Sequence, residues 1–92
     1  MIAQNTGPRA NKSIQKLELL SQQLLEKQGL GSRYEPGERD FVSTSSRSIY
    51  NIFQKLFAEA GVEPPARATI RDWFYGSCPS WAIATLNSYL KE

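Results

Sequence analysis

The sequence predicts an all-α fold, a compact bundle of four helices. Three observations carry that expectation. No segment shows the period-two alternation of a half-buried strand. Four stretches place apolar residues at three- and four-residue steps, the spacing of one helical face. Glycine, proline and serine punctuate those stretches where helices stop and start. The expected helices cover about 13–28, 45–60, 65–75 and 80–91, with a long loop at 30–43. The chain has 92 residues, of which 40% are apolar. That length holds one core, so 13–92 reads as a single helical domain behind a flexible basic arm, 1–12.

Each element has a local reason. Residues 1–11 are polar and broken by Gly7-Pro8, and the arm ends with Arg9 and Lys12. Such a terminus frays, or it reaches a partner or a DNA groove. From Ser13, the residues Ile14, Leu17, Leu20, Leu24 and Leu25 form one stripe. Gly29 stands where a left-handed residue closes a helix, and Leu30 follows to pack on Leu25 in a Schellman motif. The stretch 31–43 is irregular and holds the Pro36-Gly37 turn signal. Tyr34, Phe41 and Val42 are expected to pin it to the body. Arg33 and Arg39 are candidates for partner contact, or for local pairs with Glu35, Glu38 and Asp40.

Ser43-Thr44-Ser45-Ser46 offers N-caps for the second helix. Ile49, Ile52, Phe53, Leu56, Phe57 and Ala60 then make the cleanest stripe in the chain, stopped by Gly61-Val62. Val62-Glu63-Pro64-Pro65 is a rigid turn, and Pro65 suits the first position of a third helix. Ala66, Ile70, Trp73 and Phe74 are its inward residues, and Gly76 ends it. Ser77-Cys78-Pro79-Ser80 starts the last helix, whose inward face reads Ala82, Leu86, Tyr89 and Leu90.

Composition narrows function. Histidine is absent and Cys78 is the single cysteine. An imidazole base, a pH switch near neutrality, an internal disulfide and a Cys/His zinc site are all excluded. The serines at 43–46 and 48 have no base to activate them, and Glu35, Glu38 and Asp40 lack EF-hand spacing. The chain therefore reads as a non-enzyme with no metal or cofactor. Cys78 precedes a helix start, a position that can lower a thiol pKa, although an ordinary structural thiol is the favoured reading. No apolar run approaches the ~20 residues of a membrane helix. A lone thiol fits a reducing cytoplasm.

Net charge is +2, from 11 basic and 9 acidic residues. Residues 1–48 hold all of the excess, and 49–92 are balanced but hold eight of the ten aromatics. In the third helix, Arg67, Arg71 and Tyr75 are spaced i, i+4 and i+8 and form one exposed stripe beside Ile70 and Trp73. Two arginines with an aromatic suit phosphate and base-edge contact. They also suit a protein hot spot, and the same pattern describes a solvated helix edge.

A helix ending at Gly61-Val62, a turn, and then Thr69-Ile70-Arg71-Asp72-Trp73-Phe74-Tyr75-Gly76 resembles the helix-turn-helix of phage-repressor-type DNA-binding regulators. The resemblance covers roughly residues 49–90. Trp73, Gly76, Pro79-Ser80, Leu86 and Leu90 occupy places comparable to that family's landmarks. The turn between Gly61 and Thr69 is several residues longer than the family's and contains Pro64 and Pro65. The resemblance implies that Arg67, Thr69 and Arg71 face the major groove.

The expectation is thus a small non-enzymatic, DNA-binding transcriptional regulator. Arg67, Thr69, Arg71 and Tyr75 would form its interface, with Arg47, Arg9 and Lys12 adding attraction. Paired half-sites would suit a homodimer, for which the leucines of the first helix are one candidate face. The alternative is a phage- or plasmid-type inhibitor or adaptor, similar in size to anti-CRISPR proteins, that binds a host protein complex through Arg, Tyr and Trp.

Overall fold

In the computed structural model, which describes residues 12–91, four helices appear in chain order: α1, Lys12–Lys27; α2, Arg39–Ala60; α3, Arg67–Trp73; and α4, Ser80–Lys91. A single 3-10 turn, Gly31–Arg33, lies between α1 and α2. Among the described residues there is no strand. The all-α reading holds. The expected basic arm, with Arg9, falls outside the described residues. Lys12 is exposed and opens α1.

α1 begins and ends where its sequence indicates. Its stripe of Ile14, Leu17, Leu20, Leu24 and Leu25 is buried. Gly29 adopts φ 81°. The Leu30 N–H donates to the Leu25 carbonyl at 2.8 Å, and the Gly29 N–H donates to Glu26 at 3.0 Å. Those two bonds define a Schellman stop, and the positive φ makes glycine the natural residue there. α2 ends the same way. Gly61 has φ 75°, with Val62 N–H to Phe57 O at 2.9 Å and Gly61 N–H to Ala58 O at 3.1 Å.

Two boundaries differ from expectation. α2 runs for 22 residues and starts at Arg39, not near 45. The loop closes early because Pro36-Gly37 forms a tight turn, with Glu38 N–H donating to Glu35 O at 3.1 Å. Ser43 to Ser46 are therefore inside the helix and do not cap it. Phe41, Val42, Ser45, Ser46, Ile49, Ile52 and Phe53 form a continuous buried face. The serines interrupt its hydropathy without interrupting its geometry. They are small enough to sit against neighbouring helices, as Ser21 of α1 also does.

α3 is shorter than expected, seven residues from Arg67. Pro65 lies outside it, and Ala66 is the exposed, extended residue before it, at φ −68°, ψ 155°. The reason is distance. Arg67 and Ala68 share a cleft with Ser43 and Ser46, so the chain must travel back along α2 from Ala60. Fourteen helical residues span about 21 Å. Gly61 is left-handed and Val62 lies in a bend, so the return falls to residues 63–66, which form neither helix nor turn. Glu63 and Pro64 each precede a proline, which favours extended backbone. After Trp73 the chain continues as turns, with Tyr75 N–H to Asp72 O at 3.0 Å and Gly76 N–H to Asp72 O at 2.9 Å.

α1 packs against both α2 and α4, and α3 packs on α2. α1 and α4 run parallel. At one end the Cys78 N–H donates to the Ser13 hydroxyl at 3.0 Å. At the other the Lys27 ammonium lies 5.7 Å from the Tyr89 ring centre. The Ser48 hydroxyl donates to Gln28 Oε1 at 3.0 Å and joins α2 to the end of α1. Ala82 and Leu86 are buried as expected, and Tyr89 and Leu90 are half-buried. The leucine stripe considered as a dimer face is consumed by this core, and Leu19 is the leucine that α1 leaves outward. No helix among the described residues is long and apolar enough to cross a membrane.

Candidate functional site

α3 has two unlike sides. Ile70 and Trp73, with Phe74 just beyond the helix, are buried. Phe74 meets Phe41 edge-on at 6.2 Å. Trp73 meets Phe53 at 6.2 Å and stands perpendicular to Trp81 at 5.7 Å. This packing fixes the rotation of α3 and so decides what faces solvent. Arg67, Arg71 and Tyr75 are exposed, and Tyr75 remains 55% accessible.

These side chains line two adjoining clefts between α2 and α3. The first, about 230 Å³, is lined by Ser43, Ser46, Arg67, Ala68 and Arg71. The second, about 450 Å³, is lined by Arg39, Asp40, Ser43, Arg71, Asp72 and Tyr75, with Val42 behind. Ser43 and Arg71 belong to both. Moving from Arg67 to Tyr75, the α2 neighbours move from Ser46 back to Arg39. The charge differs sharply. The first cleft has two guanidinium groups and no carboxylate in its lining. The second balances Arg39 and Arg71 against Asp40 and Asp72.

The expected site residues separate into groups. Arg67, Arg71 and Tyr75 come together on one surface, as their spacing indicates. Arg47 is exposed on α2, one turn beyond Ser43. Thr69 is exposed but lines neither cleft. Two residues of helix place it about 160° around the axis from Arg71. Lys12 lines neither cleft, although Ser13 beside it receives the Cys78 N–H. Arg39, Ser43 and Ser46 complete the surface from α2. Arg39 is a solvent-facing helix residue and not part of a loop. For Ser46, the signal in the sequence is its four-residue step from Val42, which continues the buried face.

Cys78 is buried, and desolvation pushes its thiol up from 9.0 to about 12. The lowered pKa that a helix start can impose is not realised, because burial opposes the thiolate. It is a structural thiol. Among the described residues, no group of three Cys, Asp or Glu side chains is placed to hold a metal ion.

A second exposed feature lies on the aromatic side. Phe53, Phe57, Trp73 and Trp81 form one cluster, with ring separations from 5.5 to 6.2 Å. Trp81 is 47% accessible, and Val62 is also exposed.

No protein-family model matches the chain, and neither a curated protein nor a solved structure matches it.

Proposed function

We propose that this chain is a small non-enzymatic regulator that binds duplex DNA through α3 and the adjoining turns of α2. The observation that carries this reading is the gathering of Arg39, Arg67 and Arg71 with Tyr75 on one surface, where the first cleft holds no opposing carboxylate. Arginine forks suit phosphate oxygens and guanine edges, and an exposed tyrosine adds a flat contact. Arg47 extends the same side of α2 and adds attraction. A site built on one short helix covers little DNA, so two copies on paired half-sites suit the reading.

The test is a labelled duplex titrated by fluorescence anisotropy over a range of salt. Four arginines neutralising four phosphates give a log–log slope of roughly −3.6. Replacing Arg67 and Arg71 together with Ala should reduce that slope by about 1.8. Absence of measurable binding at low salt, to random duplexes and to those from the native locus alike, overturns the reading.

The exposure of Trp81, which packs beside Phe57, favours a second reading, an inhibitor or adaptor that docks on a host protein complex. Trp and Arg anchors dominate protein hot spots. Under this reading Trp81→Ala abolishes capture of one stoichiometric host complex, and duplex binding is undetectable at low salt.

A further inference from the structure

We infer that the first cleft between α2 and α3 is a seat for a single phosphate group, held by Arg67, Arg71 and the buried hydroxyl of Ser46. The inference deepens the duplex-binding reading and rests on it for the source of the phosphate, a backbone phosphodiester.

Three observations converge. The first is charge. The cleft brings two guanidinium groups together with no acid in its lining, whereas the adjoining cleft already balances its arginines with Asp40 and Asp72. An anion therefore favours the first cleft over the second.

The second is an unmet hydroxyl. Ser46 is 2% exposed, and its Oγ is buried without a hydrogen-bond partner among the described residues. A buried donor without a partner is uncommon and calls for a physical reason. Ser21 and Ser45 share the condition. They line none of the surface clefts described, and their small size accounts for them as helix-packing residues. Ser46 differs in lining the cationic cleft; its Oγ is closed to solvent as it stands, and a χ1 rotation towards the cleft would let its O–H donate to an anion oxygen.

The third is size and shape. At about 230 Å³ the cleft is below the ~300–1,000 Å³ of sites for drug-sized ligands, and it suits a small group. Two arginine forks and one hydroxyl approach from two helices. That arrangement offers more donors than the two oxygens of a carboxylate can use, and it matches a tetrahedral phosphate. Ser43, half-buried at the mouth, supplies a further hydroxyl.

The experiment is an NMR titration of the full ¹⁵N-labelled chain with inorganic phosphate at ionic strength matched by chloride. The expected result is saturable shifts confined to amides near 43–47 and 67–71. Ser46→Ala should weaken phosphate by roughly tenfold while its melting temperature holds or rises, because a buried unsatisfied hydroxyl is removed. Ala68→Glu, at an exposed lining position, should abolish binding with the fold intact. Shifts that fail to saturate, that chloride reproduces, or that survive Ser46→Ala unchanged overturn the inference.

Duplex binding, measured in parallel, separates the two readings. An equal loss of duplex affinity in Ser46→Ala identifies the phosphodiester as the source. Ser46-dependent phosphate binding without duplex binding upholds the seat and overturns the DNA reading. Duplex binding that Ser46→Ala leaves untouched while Ala68→Glu weakens it upholds the DNA reading and overturns the seat.

Discussion

The two sides of α3 are drawn from the same short helix, yet they are governed by different physics. On the closed side, Ile70, Trp73 and Phe74 are buried, the aromatic pair packing against Phe41, Phe53 and Trp81 through short-ranged contacts. On the open side, Arg67, Arg71 and Tyr75 face solvent, where charges act over a Debye length of about 8 Å at physiological salt. A seven-residue helix has too few turns to be stable alone. The closed side therefore makes the open side possible. It holds a helix with no side-chain cap in a fixed rotation.

That division can be broken deliberately. The largest effect belongs to Phe53→Ala, since Phe53 is fully buried and touches Phe57, Trp73 and Trp81. The expected loss is about 3–5 kcal/mol in urea denaturation, a large part of a small domain's stability. Next comes the open side. Arg67→Ala with Arg71→Ala should change stability by less than about 0.5 kcal/mol and lower duplex affinity by about a hundredfold at low salt. Parallel losses of stability and affinity in that double variant would show that the two sides are not separable.

Cys78 probes the closed region by pH. Its folded pKa lies above its ordinary value, at about 12 against 9.0. Below pH 9 both states hold the proton and the difference adds nothing to the pH dependence. Between about 9 and 12 the unfolded chain releases the proton and the folded chain keeps it, so stability falls as pH rises. The slope attributable to this thiol is at most ~1.4 kcal/mol per pH unit. Subtracting the profile of Cys78→Ala isolates it from the tyrosines and lysines. The smallest effect is Asp72→Asn. Removing one acid beside Arg71 should raise duplex affinity about two- to fivefold at low salt and fade at high salt.

Legibility followed the same local and non-local divide. α1 could be read because its stripe and its Gly29 stop depend on neighbours within five positions. The start of α2 could not, since Ser43 to Ser46 look like caps until tertiary packing shows that small polar side chains occupy core positions. The i, i+4, i+8 spacing of Arg67, Arg71 and Tyr75 revealed half of the candidate surface. The other half, Arg39, Ser43 and Ser46, lies more than twenty positions upstream and meets α3 through the return of 61–66. Resemblance groups Thr69 with the arginines, but helical periodicity carries it elsewhere. Pro64-Pro65 reads as a rigid turn, whereas in the folded chain residues 63–66 form neither turn nor helix and return the chain along α2 to the start of α3.

The perpendicular approach of Trp73 to Trp81 has an optical consequence. Indoles 5.7 Å apart at 89° couple electronically, so near-ultraviolet circular dichroism and intrinsic emission depend on how α3 and α4 are docked. These are the only two tryptophans in the chain, and one sits two residues from Arg71. The protein therefore carries an unlabelled reporter of its own α3, able to distinguish a ligand that settles on a rigid surface from one that pulls the helix away.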